Sequence, residues 1–289
     1  MSDEDESRCR FGGRRKENGN CENPSEDGLP AQSVGAWATK KHERIQLYIE
    51  ATRAVRAKYL PPNGQGGAAF IDLFAGPGRA RIRDQAATIP GSALIALEHG
   101  DAPFSRLLLC DLDPENVEAL RARTTKEQHR VVVLEGDCNA EIDRILALVP
   151  PHGLNIALID PFGPKPLRWS TLAKLGSVKR MDLLIHFPTG SIKRNFYHSG
   201  FDQTIDEMLG TTTWRGSVHS AEHVPKLIDV LQRQLVGLGY ESERVRTLPV
   251  TTDKNLLLYH LVFASKDPRG MAIWKSITRH DGPQRGLGF

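Results

Sequence analysis

Cysteine is scarce in this chain of 289 residues, with only Cys9, Cys21, Cys110 and Cys138, and no two form a Cys-x-x-Cys pair. That excludes a disulfide framework, and a reducing compartment keeps such residues as thiols. Cys9 and Cys21 are too far apart, and too poor in neighbouring His, for a zinc knuckle, so no metal is expected. No stretch approaches the roughly 18 apolar residues of a membrane span. The acidic, Ser-rich N-terminus has no apolar core of the kind a secretory signal needs. A soluble, cytoplasmic protein without a membrane partner is expected. A large charge excess is missing too: 38 Lys and Arg face 35 Asp and Glu, a net of +3. Residues 1–30 carry eight acids against five Lys or Arg, a net of −3, which leaves +6 for the rest. A mildly basic body is compatible with nucleic acid but is not a strong footprint of it.

What is present is organised. Residues 1–34 are Gly, Asn, Ser and charge with scarcely an apolar residue, which predicts a disordered leader. Residues 35–289 read as one large α/β domain. Ile45, Tyr48, Ile49, Thr52, Val55 and Tyr59 recur at helical spacing and predict a helix over Trp37–Leu60, ended by Pro61, Pro62, Asn63 and Gly64. Short apolar runs then appear at Ala69–Phe74, Leu107–Cys110, Val131–Leu134, Ile156–Ile159 and Met181–Phe187, with the look of strands buried on both faces. Helical stretches fall between them, at Ser92–Glu98, Pro114–Thr124, Ala140–Leu148 and Ser170–Leu175. A helical insertion is expected over about 196–240, clearest at Val224–Leu238. Strands at Val245–Val250 and Leu256–Ala264 follow, joined by the turn Thr252–Asn255, and then a helix over Arg269–Thr278. The alternation predicts a doubly wound, mostly parallel seven-stranded sheet with helices on both faces.

The first buried strand runs into Phe70-Ile-Asp-Leu-Phe-Ala-Gly-Pro-Gly-Arg-Ala80. Gly76 and Gly78 let the backbone turn sharply and come close to a ligand, with Phe74 and Ala75 on the same loop. Asp72 stands just before the turn, where a carboxylate suits a cationic or amine-bearing ligand better than a pyrophosphate. A dinucleotide fingerprint needs a third glycine where Arg81 stands and an acid about 20 residues on, whereas the next strand-end acid is Asp111. No Gly-Lys-Ser/Thr follows, which excludes a P-loop. Asp111 ends the second strand, where it can accept two ribose hydroxyls. Asp137, beside Cys138, ends the third strand near an adenine position; Cys138 itself reads as packing. Asp160 ends the fourth, in Asp160-Pro-Phe-Gly163. Each Asp alone also suits a helix N-cap. Four at successive strand ends point to a ligand beyond the carboxyl edge of the sheet, and the ammonium and sulfonium of S-adenosylmethionine fit that pattern. This is the Rossmann-like methyltransferase arrangement.

The order Asp-Leu-Phe-Ala-Gly-Pro-Gly, Asp-Leu-Asp-Pro, Gly-Asp-Cys-Asn and Asp-Pro-Phe-Gly resembles the three-Cys-motif partner protein family. The likeness continues through Pro188–Asn195, Leu209–Trp214 and Tyr259–Ser265, and so spans roughly Trp37 to Ile277. The resemblance implies a class I S-adenosylmethionine-dependent methyltransferase-like protein. It also implies a partner that carries three cysteines and is itself similar to radical S-adenosylmethionine proteins.

Methyl transfer requires in-line alignment of an acceptor and removal of a proton. Amino-methyltransferases do this with an Asp/Asn-Pro-Pro-aromatic tetrapeptide. Asp160-Pro161-Phe162 resembles it with the second proline missing and the aromatic one place early. Asp160 is expected on the acceptor side; Phe162 either stacks on the acceptor or packs into the sheet edge. The loop Gly190–Asn195 brings Lys193 and Arg194 near the acceptor mouth, as phosphate contacts or as a solvated turn. His219 and His223 have zinc-compatible spacing but no third ligand, and the four Trp residues read as core. Two functions remain open: a methyltransferase acting on an amine in nucleic acid or a partner protein, and a non-catalytic binding subunit with the same fold.

Overall fold

The structure, a computed structural model, describes residues 14–15, 21–83, 87–98, 102–252 and 256–279. Its main sheet is built from β1 Ala68–Asp72, β2 Arg106–Asp111, β3 Val131–Glu135, β4 Leu154–Ile159, β5 Met181–Phe187, β6 Val245–Thr251 and β7 Leu257–Ala264. Their order across the sheet is β3-β2-β1-β4-β5-β7-β6. The first five are parallel, and β7 runs antiparallel to both β5 and β6. Every residue of β1 and β4 is buried, so their unbroken apolar runs are what central strands covered on both faces require. β6 is an edge strand and tolerates Pro249, because a prolyl residue there removes no second ladder bond.

Helices cover both faces. On one side lie α1 Trp37–Ala51, α2 Ser92–Leu97, α3 Pro114–Arg123 and α9 Pro268–Thr278, which bring Ile45, Tyr48, Ile95, Leu120 and Trp274 into one apolar cluster. On the other lie α4 Cys138–Ala147, α5 Trp169–Ser177, α7 Phe201–Leu209 and α8 Leu227–Gly237, contributing Ile142, Leu175, Ile205 and Leu231. Asp113 and Asp137 cap α3 and α4 by accepting from Glu115 N and Asn139 N, each at 2.9 Å. The stretch 196–240 is helical in parts, with 3₁₀ turns between α7 and α8, and its apolar residues belong to the same cluster as the sheet. Trp214 and Trp274 are core residues; Trp37 and Trp169 are half-buried against it.

Several expectations need correction. The helix from Trp37 is interrupted at Thr52, whose Oγ1 bonds back to Tyr48 O at 2.8 Å; Arg53–Arg56 and a 3₁₀ turn to Tyr59 continue it. Gly190–Asn195, read as a loop, is mostly the helix α6 Thr189–Arg194. The segment read as a disordered leader contains strands at Arg14–Arg15, Cys21–Pro24 and Pro30–Val34. Pro30–Val34 pairs in parallel with Arg79–Ile82, which in turn pairs with Thr88–Pro90. These pieces belong to a second, five-stranded sheet. The segment is held by the ladder, by a small apolar cluster of Val34 with Ala38, Ala80 and Ile82, and by ion pairs. Arg123 of α3 donates to Asp27 at 2.8 Å, to Ser25 Oγ at 2.5 Å and to Pro30 O at 2.8 Å. Cys9 and residues 253–255 of the expected turn lie outside the described residues.

Candidate functional site

The carboxyl ends of β1, β2, β4 and β5 converge where the strand order reverses between β1 and β4, the usual ligand position in an open α/β sheet. Leaving β1, the chain passes Gly76 at φ +61° and Gly78 at φ +90°, values that glycine adopts without strain. A Cβ on Gly78 would lie 3.0 Å from Leu120 Cδ1 of α3, so a side chain there would also crowd that helix.

Asp72 does not reach the cavity beyond this loop. It is fully buried and its carboxyl accepts from Ser92 Oγ at 2.5 Å and from Phe74 N at 3.2 Å. Burial pushes its pKa up to about 7, against the pull of those two hydrogen bonds. Asp72 therefore shapes the loop, and Ser92 is the group presented to the cavity. Asp111 stands at the tip of β2 and ties it to the loop. Its Oδ2 accepts from Gly76 N at 2.8 Å, and its Oδ1 accepts from Asp113 N and Asn116 Nδ2, both at 3.0 Å. Asp137 is exposed and its Oδ1 is held by Asn139. Cys138 is buried, and burial pushes its thiol up to about 12, so it stays protonated and packs.

The cavity has a volume of about 50 Å³. Of the residues expected around a cofactor, Phe74, Ala75, Gly78 and Asp160 line it, with Pro161 and Phe162; Asp72, Gly76, Asp111, Asp137 and Cys138 stand outside its wall. Phe162 is 77% exposed, so it is not packed into the sheet edge. Gln32 and Val34 of the N-terminal strand form part of the wall.

Sequence reading missed the partners of Asp160. Lys41 Nζ of α1 donates to its Oδ2, and His186 Nδ1 of β5 bonds its Oδ1. Burial works to raise the Asp160 pKa, but the charge of the Lys41 ammonium and the hydrogen bonds from His186 and Lys41 hold it well below the usual carboxylate range. Both partners left a trace in the sequence. Lys41 lies on the face of α1 that carries Ile45 and Tyr48, and His186 is an imidazole inside the apolar run of β5. His42 lines the same cavity; burial and the nearby Lys41 charge lower its pKa to about 4, which keeps the imidazole neutral. The buried Tyr259 hydroxyl has no hydrogen-bond partner among the described residues, and its ring lies 4.0 Å from that of His186.

Lys193 and Arg194 are exposed on α6. His219 N donates to His223 Nδ1 at 3.3 Å, and no group of three His, Cys, Asp or Glu among the described residues is arranged to hold a metal.

The sheet order, five parallel strands followed by an antiparallel pair with helices on both faces, is the seven-stranded, Rossmann-like arrangement of the methyltransferase fold. No family model matches the chain, and no curated protein does. Among solved structures, it is similar to a Legionella pneumophila protein of the DUF519 family, at 12% identity and a TM-score of 0.48, over 84% of this chain and 93% of that one. Trm5b from Pyrococcus abyssi matches at 11% identity and a TM-score of 0.39, over 89% of this chain and 56% of that one. A SAM-dependent methyltransferase from Anabaena variabilis matches at 11% identity and a TM-score of 0.28, over 82% and 96%. These three scores are under 0.5, so the fold is read from the strand order of this chain itself.

Proposed function

We propose that this protein is an S-adenosylmethionine-dependent methyltransferase whose acceptor is an amine in a nucleic acid or a partner protein. The observation that carries this reading is the meeting of Asp160-Pro161-Phe162 with the glycine loop around one cavity. The loop fits the cofactor: it carries two positive-φ glycines, and Asp111 at the tip of β2 ties it in place through Gly76 N. Bound there, S-adenosylmethionine supplies a methyl group already activated on a sulfonium. The space is smaller than the cofactor needs, about 50 Å³ against the roughly 300 Å³ or more of ordinary small-molecule pockets. Binding therefore requires the wall of the cavity, of which Gln32 and Val34 form part, to open. Exposed Phe162, with exposed Lys193 and Arg194 on α6, favours a flat, anionic acceptor such as a nucleic acid. The helical stretch at about 196–240 is the proposed acceptor-recognition part of the domain. The cytoplasm is the proposed compartment; no helix among the described residues is long and apolar enough to cross a membrane.

The narrow cavity also favours a second reading, a non-catalytic subunit of this fold that docks a partner. The three-cysteine protein implied by family resemblance is the candidate. Calorimetric titration with S-adenosylmethionine and S-adenosylhomocysteine separates the two. The methyltransferase reading expects micromolar binding that Asp111→Ala, by releasing Gly76 N of the glycine loop, weakens at least tenfold. Absence of binding by the unaltered chain supports the docking subunit instead.

A further inference from the structure

Asp160 leaves the carboxyl end of β4 with each oxygen already engaged by a donor of the same chain, Lys41 on Oδ2 and His186 on Oδ1. A carboxylate only accepts, so the proton between Asp160 and His186 belongs to Nδ1 of the imidazole. The ring's other nitrogen, Nε2, makes no hydrogen bond among the described residues, and the ring is part of the cavity wall with Gly78, Ser92 and Phe162. Its position is fixed from three sides. β5 is paired to β4 through Ile185 and Ile159 and to β7 through His186 and Leu261, and the Tyr259 ring packs against the imidazole at 4.0 Å. Lys41, only 7% exposed, holds the carboxylate from the other side.

We propose that His186 is the catalytic base of this site, accepting the acceptor's proton at Nε2, and that Asp160 is a positioning residue acting through it. The assignment rests on the methyltransferase reading and sharpens it. The acceptor heteroatom bonds the methyl carbon of the sulfonium donor, the carbon–sulfur electron pair stays on sulfur, and the acceptor's proton passes to Nε2. Charge balances, since the donor loses one positive charge and the imidazole gains one. A base is needed only where the acceptor arrives with its proton, so the substrate class is a neutral N–H or O–H group and not a carboxylate. The orienting carboxylate and the bare distal nitrogen are the arrangement by which an Asp fixes the productive tautomer of a catalytic His.

The test is long-range ¹⁵N NMR of the imidazoles in the full chain, with the His186 signals assigned by their loss in His186→Gln. Calorimetry with S-adenosylhomocysteine runs in parallel. The unaltered chain is expected to carry the proton on Nδ1 with Nε2 bare. Asp160→Asn is expected to turn the ring to the opposite tautomer, because the amide can donate to Nδ1. Saturating S-adenosylhomocysteine is expected to shift Nε2 more than Nδ1. Binding of S-adenosylhomocysteine together with a proton on Nε2, or a tautomer indifferent to Asp160→Asn, overturns the base assignment while the methyltransferase reading stands. No binding by the unaltered chain overturns that reading, and the base assignment with it.

Discussion

Asp72 and Asp160, at the ends of the adjacent strands β1 and β4, occupy opposite electrostatic states. The Asp72 carboxyl meets only a hydroxyl and an amide in a fully buried setting, and its pKa rises to about 7. Asp160 meets an ammonium and an imidazole, and is held ionised. Asp182, at the opposite end of β5 and bonded by Tyr48 Oη at 2.6 Å, is raised to about 6 by burial, like Asp72. A raised carboxyl binds its proton more tightly in the folded than in the unfolded chain, so its contribution to stability is greatest near pH 4 and declines as pH rises towards 7. Asp160 contributes with the opposite sign: its stabilisation is present above the unfolded carboxylate value and is lost as pH falls below it. Asp72→Asn removes one titration of the first kind. Between pH 5 and pH 8 the thermal midpoint of the unaltered chain is expected to fall further than that of the variant. In stability the difference is at most about 3 kcal/mol, on the scale of 1.36 kcal/mol per pH unit between pH 5 and the Asp72 pKa of about 7; equal falls would show that Asp72 ionises normally.

At the level of elements, one arginine couples the N-terminal strand to the domain. Arg123, in the last turn of α3, reaches Ser25, Asp27 and Pro30, and also bonds Pro77 O in the glycine loop. Its hydrogen bond holds Asp27 well below the usual carboxylate range. The same side chain thus spans the strand Pro30–Val34 and the turn that carries Gly76 and Gly78. Arg123→Met keeps the aliphatic stem and removes these bonds. Hydrogen exchange of the Gln32–Val34 amides is expected to speed up at least tenfold, while exchange in β1 and β4 stays unchanged. Equal protection in both proteins would mean that the strand ladder alone holds the segment. The helix starts follow a simpler local logic: Asp113, Asp137 and Asp267 each accept from the backbone two residues on, and Pro114 and Pro268 occupy first helical positions.

Across the whole molecule, the sheet gathers the strand tips into one place and the N-terminal segment closes it. Because Gln32 and Val34 wall a cavity of about 50 Å³, deletion of residues 1–34 is expected to raise the association rate of S-adenosylhomocysteine at least fivefold in stopped-flow binding. An unchanged rate would mean that the cofactor enters by another route. Much of this architecture was legible beforehand. The strand runs from Ala69 to Ile185 needed only unbroken apolar residues, and the glycine loop needed only the demand for a tight turn. The strands at Arg79–Ile82 and Pro30–Val34 were not legible. Charged residues interrupt the first, whose buried positions are only Ala80 and Ile82, and the second borrows its order from that neighbour.

The site divides in the same way. By itself the sequence determined the seven strands, their succession with helices, and the aspartates at the strand ends, because burial, turning and capping act within a few residues. Only the tertiary structure decided what those aspartates do. It turned Asp72 inward to Ser92, engaged Asp111 with the glycine loop, and brought Lys41 and His186 to Asp160 across 119 and 26 positions of chain. No local periodicity links residues so far apart; strand order and helix packing alone set which of them meet.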